Sequence, residues 1–263
     1  MHRFWFKVIR PILTAAEPEV VVEVGAGAGA HTRRLAKFCG SHEIALHVID
    51  LAPGFDPSDL GGEIVFHRQL SLDALPDVGP VDVALIDGDH NWYTVVNELT
   101  LLQRTAQSAD RPTPLALCHD VCWPYGRRDL YYDPETIPVE YRHHWERAGI
   151  LPGRSALQGG RGLNPDLANA TDEGGPRNGV MTAIEDFVAT ANEPFEITVL
   201  PVLHGLAVVC PGSRLDANPR LNRLIARLGT PRGLAELIPL VEEERQRLKV
   251  VADERRRRLE STS

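Results

Sequence analysis

The chain alternates short apolar runs with stretches of helical spacing. The first run is EVVVEVGAGAG at 19–29, where Val20, Val21, Val22 and Val24 form the continuous β-branched pattern of a strand buried on both faces. It breaks at glycine and alanine, and HTRRLAKFC then sets Leu35, Ala36 and Phe38 at helical spacing. The alternation recurs. Further strands are predicted at 43–50, 62–69, 81–90 and 114–120, and several of them end in polar residues such as Asp50, Asp87 and Asp120. A helix through Val95, Val96, Leu99 and Leu102 follows the fourth strand. Another helix, at 180–191, precedes a terminal antiparallel pair at 195–202 and 204–211. Strands alternating with helices predict an open three-layer α/β sheet. Ligands of such sheets sit beyond the carboxyl ends of the strands.

Two regions leave this rhythm. Residues 121–179 carry Trp123, Tyr125, Tyr131, Tyr132, Tyr141 and Trp145 and then a glycine-rich stretch. A connection of that length reads as a lid or an acceptor-binding insertion, with a structural excursion or interface as the other reading. Residues 216–263 read as a helical extension, with Leu221, Leu224, Ile225 and Leu228 on one face and Pro239 interrupting or starting a helix. The expected domain organisation is therefore one body at 1–215, including the insertion, and an extension at 216–263.

Composition narrows the possible functions. The net charge is −8, which disfavours a general nucleic-acid binder. RRRR at 255–258 does not change this, because seven basic and six acidic residues between Glu242 and Glu260 describe a solvated, nearly balanced helix. No apolar run reaches the length of a membrane span. The N-terminal MHRFWFKVIRPIL lacks the apolar core and cleavage site of a signal peptide. Cys39, Cys118, Cys122 and Cys210 are too scattered for a secreted disulfide framework. The default compartment is the cytoplasm.

Gly25, Gly27 and Gly29 follow a strand and open a helix, where a glycine permits a tight turn and lets a ligand approach bare backbone. GAGAGAH lacks both the spacing of a dinucleotide fingerprint and the Lys-Ser/Thr ending of a phosphate loop. Glu23 would repel a pyrophosphate and favour a cationic ligand group. Asp50, at the end of the second strand, can accept from both hydroxyls of a ribose. Asp73 in QLSLDAL can address an adenine amine or cap a helix. On EVGAGAG and Asp50 the chain resembles the class I S-adenosylmethionine-dependent methyltransferases. That resemblance implies a Rossmann-like, seven-stranded, mostly parallel sheet with helices on both faces. It also implies cofactor roles for Glu23, Gly25, Gly27, Asp50 and Asp73.

VALIDGDHNWYTVVNEL brings Asp87, Asp89 and His90 to the end of the fourth strand, at the mouth of the cofactor cleft, where Asp87 also meets the cofactor. His119 and Asp120 end the fifth strand. Neighbouring strands lie about 5 Å apart, so Asp87, His119 and Asp120 can surround one ion. Such an oxygen-rich set suits Mg²⁺, with Mn²⁺ also possible. A divalent ion acidifies a hydroxyl and an imidazole accepts its proton. His90, three residues after Asp87, is the expected base, and His119 or His144 are alternatives. In YRHHW, His143 and His144 could contact a sugar, while Tyr125, Arg127 and Arg128 could line an acceptor pocket.

This arrangement resembles the metal-dependent sugar O-methyltransferases of the macrolide-sugar and polysaccharide-precursor type. Asp87, Asp120 and His90 match that pattern, and His119 stands where it has an acid. The resemblance implies methylation of a sugar or glycoside hydroxyl by a homodimer. Two other readings stay open. One is a metal-independent O- or N-methyltransferase with a histidine base, and the other is a non-catalytic binding protein on the same fold.

Overall fold

The computed structural model describes residues 1–61 and 63–261. Gly62, the first residue of the predicted third strand, and the last two residues of the predicted tail lie outside them. The elements in chain order are α1 (Arg10–Ala16), β1 (Val20–Val24), α2 (Thr32–Ser41), β2 (Ala45–Ile49), β3 (Ile64–His67), α3 (Ser71–Val78), β4 (Val83–Ile86), α4 (Trp92–Ser108) and β5 (Leu115–His119). The insertion carries β6 (Leu130–Tyr131), β7 (Trp145–Arg147) and β8 (Ala168–Ala170). There follow α5 (Val180–Thr190), β9 (Phe195–Leu200), β10 (Leu206–Pro211), α6 (Gly212–Ala217), α7 (Pro219–Leu228), α8 (Pro231–Ala235) and α9 (Ile238–Ser261).

The main sheet has seven strands in the order β3-β2-β1-β4-β5-β10-β9. Strands β1 to β5 pair in parallel, and β10 runs antiparallel to both β5 and β9. The predicted α/β sheet and its terminal antiparallel pair are therefore present. Period-two alternation assigns the two faces. Val21, Leu46, Val48, Val83, Leu85, Leu115 and Leu117 pack on one side with α2, α7 and the N-terminal segment. Val22, Val24, Ala84, Ile86, Ala116 and Cys118 pack on the other side, against residues of α3, α4 and α5.

The N-terminal segment contributes more to the core than its sequence indicated. Phe4, Trp5, Val8, Ile9, Ile12 and Leu13 are all buried. They cover one face of the sheet, so the amphipathic pattern is a packing face. In the tail, Leu221, Ile225 and Leu228 of α7 join the same layer, and α9 begins at Ile238, next to Pro239.

Within residues 121–179, the segment around Asp129 to Thr136 packs against the carboxyl end of the main sheet. Strands β6, β8 and β7 make a small antiparallel sheet. It is joined to the main body by a bridge between His90 and Leu130. The buried carboxylate of Asp129 fixes the junction. It accepts from the Trp92 amide at 2.8 Å, the Gly179 amide at 2.7 Å and the Tyr131 hydroxyl at 2.9 Å. The starts of α4 and α5 are thereby tied to the insertion.

Glu98 of α4 is fully buried, and neither carboxyl oxygen has a hydrogen-bond partner of normal geometry. Burial pushes its carboxyl up to about 8. The folded chain therefore takes up a proton between the ordinary carboxylate range and about pH 8. The stability linked to that proton is present at low pH and is lost as pH rises toward 8. Relative to wild type, Glu98→Gln is expected to gain roughly a few kcal/mol between pH 5 and pH 9. Calorimetric melting of both proteins at the two pH values checks this, and a difference that does not change with pH would refute it.

Candidate active site

The first strand is followed by Gly25, whose φ is +88° and whose amide donates to the Ile49 carbonyl at 2.9 Å. A Cβ at Gly25 would overlap the Asp87 carbonyl and lie 2.6 Å from the Gly88 Cα. The glycine thus lets the β1 and β4 loops touch. Gly27, at φ +51°, faces open space.

These loops bound a cavity of about 420 Å³ at the carboxyl ends of β1, β2, β3 and β4. Gly25, Gly27, Asp50, Asp87 and Asp89 line it, together with Gln69, Leu70 and Ser71 after β3. Tyr132, Asp133 and Thr136 reach it from the insertion. The Asp50 carboxylate organises the glycine loop. Its Oδ2 accepts from the Ala26 and Gly27 amides at 2.8 Å each, and its Oδ1 accepts from the Ala52 amide at 2.8 Å.

Two of the predicted cofactor residues lie off this cavity. The Glu23 side chain leaves β1 on the face opposite Val22 and Val24, is 2% exposed, and meets His31 Nδ1 at 2.6 Å. Its partner-free Oε2 is buried there, away from the cavity lining. Asp73 sits exposed in the first turn of α3, where helical rotation turns it out to solvent. Ser71 and Leu70 occupy the wall instead. A pattern of residue types cannot set that rotation, which depends on where the helix starts.

The catalytic candidates converge beside the cavity. Donor atoms of Asp87, His90 and Asp120 all lie within 4.8 Å of one another. Asp87 belongs to both places, since it also lines the cavity. His119 joins them differently from the sequence expectation. Its Nδ1 lies 2.7 Å from Asp120 Oδ2 and 3.0 Å from Asp87 Oδ1, so it bridges the two carboxylates. His90 Nε2 approaches Asp120 Oδ2 at 3.7 Å. Asp120 adopts φ +60°, a left-handed conformation that is costly for a residue with a Cβ and is concentrated at functional sites.

The electrostatics are those of a charge-compensated pair of acids. Burial opposes ionisation of Asp87, yet His119 and the Met1 ammonium, 2.9 Å from Oδ2, hold it below the usual carboxylate range. Burial alone would lower the His119 imidazole, but Asp87 and Asp120 raise it to about 9. Burial raises the Asp89 carboxyl, which accepts from Thr94 Oγ1 at 3.2 Å.

Among the predicted acceptor residues, Tyr125 reaches the site. Its ring stacks on His90 at 5.7 Å, and its hydroxyl is held by Asn164 and Asn169. Arg127 instead makes a two-pronged ion pair with Glu185 on the surface. Arg128 is fully buried and binds the carbonyls of Ala170, Thr171 and Ser155, which pins the insertion. His143 binds the Arg177 carbonyl, and His144 is exposed, with its carbonyl accepting from Thr171. His144 is neither in the cavity wall nor in the Asp87 cluster. All four cysteines are free thiols, and none joins a metal-binding group among the described residues. No local pattern in the sequence points to Tyr132 and Asp133 as cavity residues, because an insertion's contacts with a cleft far away along the chain leave none.

Residues 22–121 match the model of a family described as a methyltransferase domain. No curated protein sequence matches the chain. Among solved structures, the chain is similar to the S-adenosylhomocysteine-bound methyltransferase PaMTH1 of Podospora anserina, at 13% identity and a TM-score of 0.45, covering 77% of this chain and 76% of that one. It is also similar to a Klebsiella pneumoniae protein provisionally assigned as an O-methyltransferase, at 14% identity and a TM-score of 0.46, covering 80% and 79%. The human N-acetylserotonin methyltransferase in complex with S-adenosylmethionine aligns at 17% identity and a TM-score of 0.42, covering 77% and 50%. The sheet order and the glycine turn after β1 are those of a class I S-adenosylmethionine-dependent methyltransferase fold. No helix among the described residues is long and apolar enough to cross a membrane.

Proposed function

We propose that the chain is an S-adenosylmethionine-dependent O-methyltransferase acting on a hydroxyl of a small molecule, with a sugar or glycoside as the acceptor class. One observation carries this reading. The glycine-loop cavity and the carboxylate–imidazole cluster adjoin at the carboxyl edge of the sheet and share Asp87. A methyl donor and an activated hydroxyl have to meet at such a junction. The sugar assignment rests on the sequence resemblance. The apolar faces of Tyr125 and Tyr132 beside His90 are compatible with it.

When bound, the cofactor supplies an electrophilic methyl group, and a divalent cation lowers the pKa of a coordinated hydroxyl. Mg²⁺ or Mn²⁺ fits the donor set of two carboxylates and one imidazole. Asp87, His90 and Asp120 would hold it. With the charge of both carboxylates taken up by the ion, His119 would no longer be held protonated between them, and as a neutral imidazole it would receive the acceptor's proton. In this assignment the two histidines exchange the ligand and base roles expected from sequence. Gly25, Gly27 and the Asp50-tied loop hold the methyl donor, while Asp87 aligns the two sites.

The His119 geometry favours a second reading. An imidazolium already bridging Asp87 and Asp120 compensates their charge without an ion, which leaves His90 as the base. The experiment that tests both readings combines methyl-labelled S-adenosylmethionine with a panel of sugars and phenols, before and after chelation. The metal-assisted reading expects turnover to fall about 100-fold or more with chelator and to return with Mg²⁺. The second reading expects no effect of chelator and a loss of about 100-fold or more in His90→Gln. Labelling of no acceptor at all would count against both.

The same proposal takes residues 1–215 as the catalytic domain and 216–263 as an extension. It also takes the protein as a cytoplasmic homodimer with no nucleic-acid partner. Light scattering in solution reports the oligomeric state.

A further inference from the structure

The cavity has an outer wall that comes from the insertion. Tyr132, Asp133 and Thr136 lie across it from the β1, β2 and β4 loops. That wall is held in place. The Leu130 amide donates to the His90 carbonyl at 3.1 Å, and Asp129 ties the same segment to the starts of α4 and α5. Tyr132 and Asp133 directly follow these anchored residues.

The remaining acids of the cavity are already engaged. Asp50 accepts from three backbone amides. Asp87 is paired with His119 and the Met1 ammonium, and Asp89 is bonded to Thr94. Asp133 Oδ1 accepts from the Glu135 amide at 3.0 Å, which leaves Oδ2 for a ligand. No Lys, Arg or His lines the cavity among the described residues. The wall is therefore electronegative, and its least committed carboxylate is carried by the insertion.

We propose that Tyr132 and Asp133 are cofactor-binding residues. The Tyr132 ring covers the bound cofactor, and the Asp133 carboxylate favours the cationic sulfonium donor over its neutral thioether product. The inference rests on the cofactor reading above and assigns to the insertion a cofactor role in addition to any acceptor role. S-adenosylmethionine has one positive charge more than S-adenosylhomocysteine. A carboxylate facing both ligands therefore discriminates between them through charge. Because Asp133 is carried by the insertion, the wall that closes on the donor is also the wall that holds the product less tightly.

Calorimetric titration of the full chain with S-adenosylmethionine and S-adenosylhomocysteine tests this. Tyr132 and Asp133 are both exposed, so neither substitution threatens the core. Tyr132→Ala is expected to weaken both ligands about tenfold. Asp133→Asn is expected to weaken the methyl donor about fivefold more than the product. Glu135→Gln, which alters an ion pair with Arg142 outside the cavity wall, should leave both affinities within about twofold of wild type. Wild-type affinities in Tyr132→Ala and Asp133→Asn would overturn the proposal while leaving the cofactor reading intact. Equal weakening of both ligands by Asp133→Asn would overturn the charge role. Failure of the wild-type chain to bind either ligand would overturn the cofactor reading, and this inference with it.

Discussion

Asp120→Asn is expected to lower methyl transfer about 10³-fold while leaving the affinity for S-adenosylhomocysteine within about threefold of wild type. Asp120 lies in the convergent group with Asp87 and His90 but not in the cavity wall. Its loss should therefore act on the acceptor half of the reaction. The substitution keeps the shape of the side chain and removes the charge. A divalent ion would lose one of two anionic donors, and His119 would lose the charge of its partner at 2.7 Å. Under either reading the hydroxyl becomes harder to deprotonate. The measurement is turnover with labelled methyl donor alongside calorimetry of product binding. Near-normal turnover would remove the cluster from the chemistry, and parallel loss of turnover and binding would move Asp120 into the cofactor site. Asp87→Asn offers a contrast, because Asp87 faces both places and should impair both measurements.

Gly25→Ala is expected to weaken cofactor binding about 100-fold or more and to lower the melting temperature as well. A side chain at φ +88° is strained, at a cost of about 1–3 kcal/mol. The added methyl would also overlap the Asp87 carbonyl and the Gly88 Cα. Both clashing groups are backbone, so relief requires the β1 and β4 loops to separate, and those loops form the cavity wall. Gly27→Ala separates the two effects. At φ +51°, with nothing within 4 Å of its Cβ, it should cost the fold about 1 kcal/mol and act mainly by filling cavity space. Thermal melting and S-adenosylhomocysteine titration of the two variants provide the test. Equal stability of the two variants would refute the backbone argument.

Much of the site was legible because it lies where local patterns end. The valines of β1 mark a strand buried on both faces, and a glycine directly after them marks a turn that a side chain would block. Asp50, Asp87 and Asp120 follow their strands for the same reason, so parallel pairing brings them to one edge of the sheet. Other features depended on contacts between distant segments. Glu23 precedes the turn as a ligand-binding acid would, yet strand alternation directs it toward His31. Asp73 lies on the exposed side of the first turn of α3. His119 and His90 are both where the sequence placed them, but which one bridges the carboxylates depends on ring positions to within an ångström. Arg128 reads as a cation of the acceptor pocket and is instead buried among carbonyls of the insertion.

The sequence alone determined the α/β sheet, its glycine turn and the row of polar strand ends, because strand and helix periods and backbone freedom are local properties of the chain. The tertiary structure decided which polar residues face the cavity, how the imidazoles sit between Asp87 and Asp120, and that Tyr132 and Asp133 close the cleft. Those outcomes depend on helix rotation, on strand parity and on the anchoring of Asp129 to segments tens of residues away. They arise from packing and hydrogen bonding across the fold, and no window of sequence contains both partners.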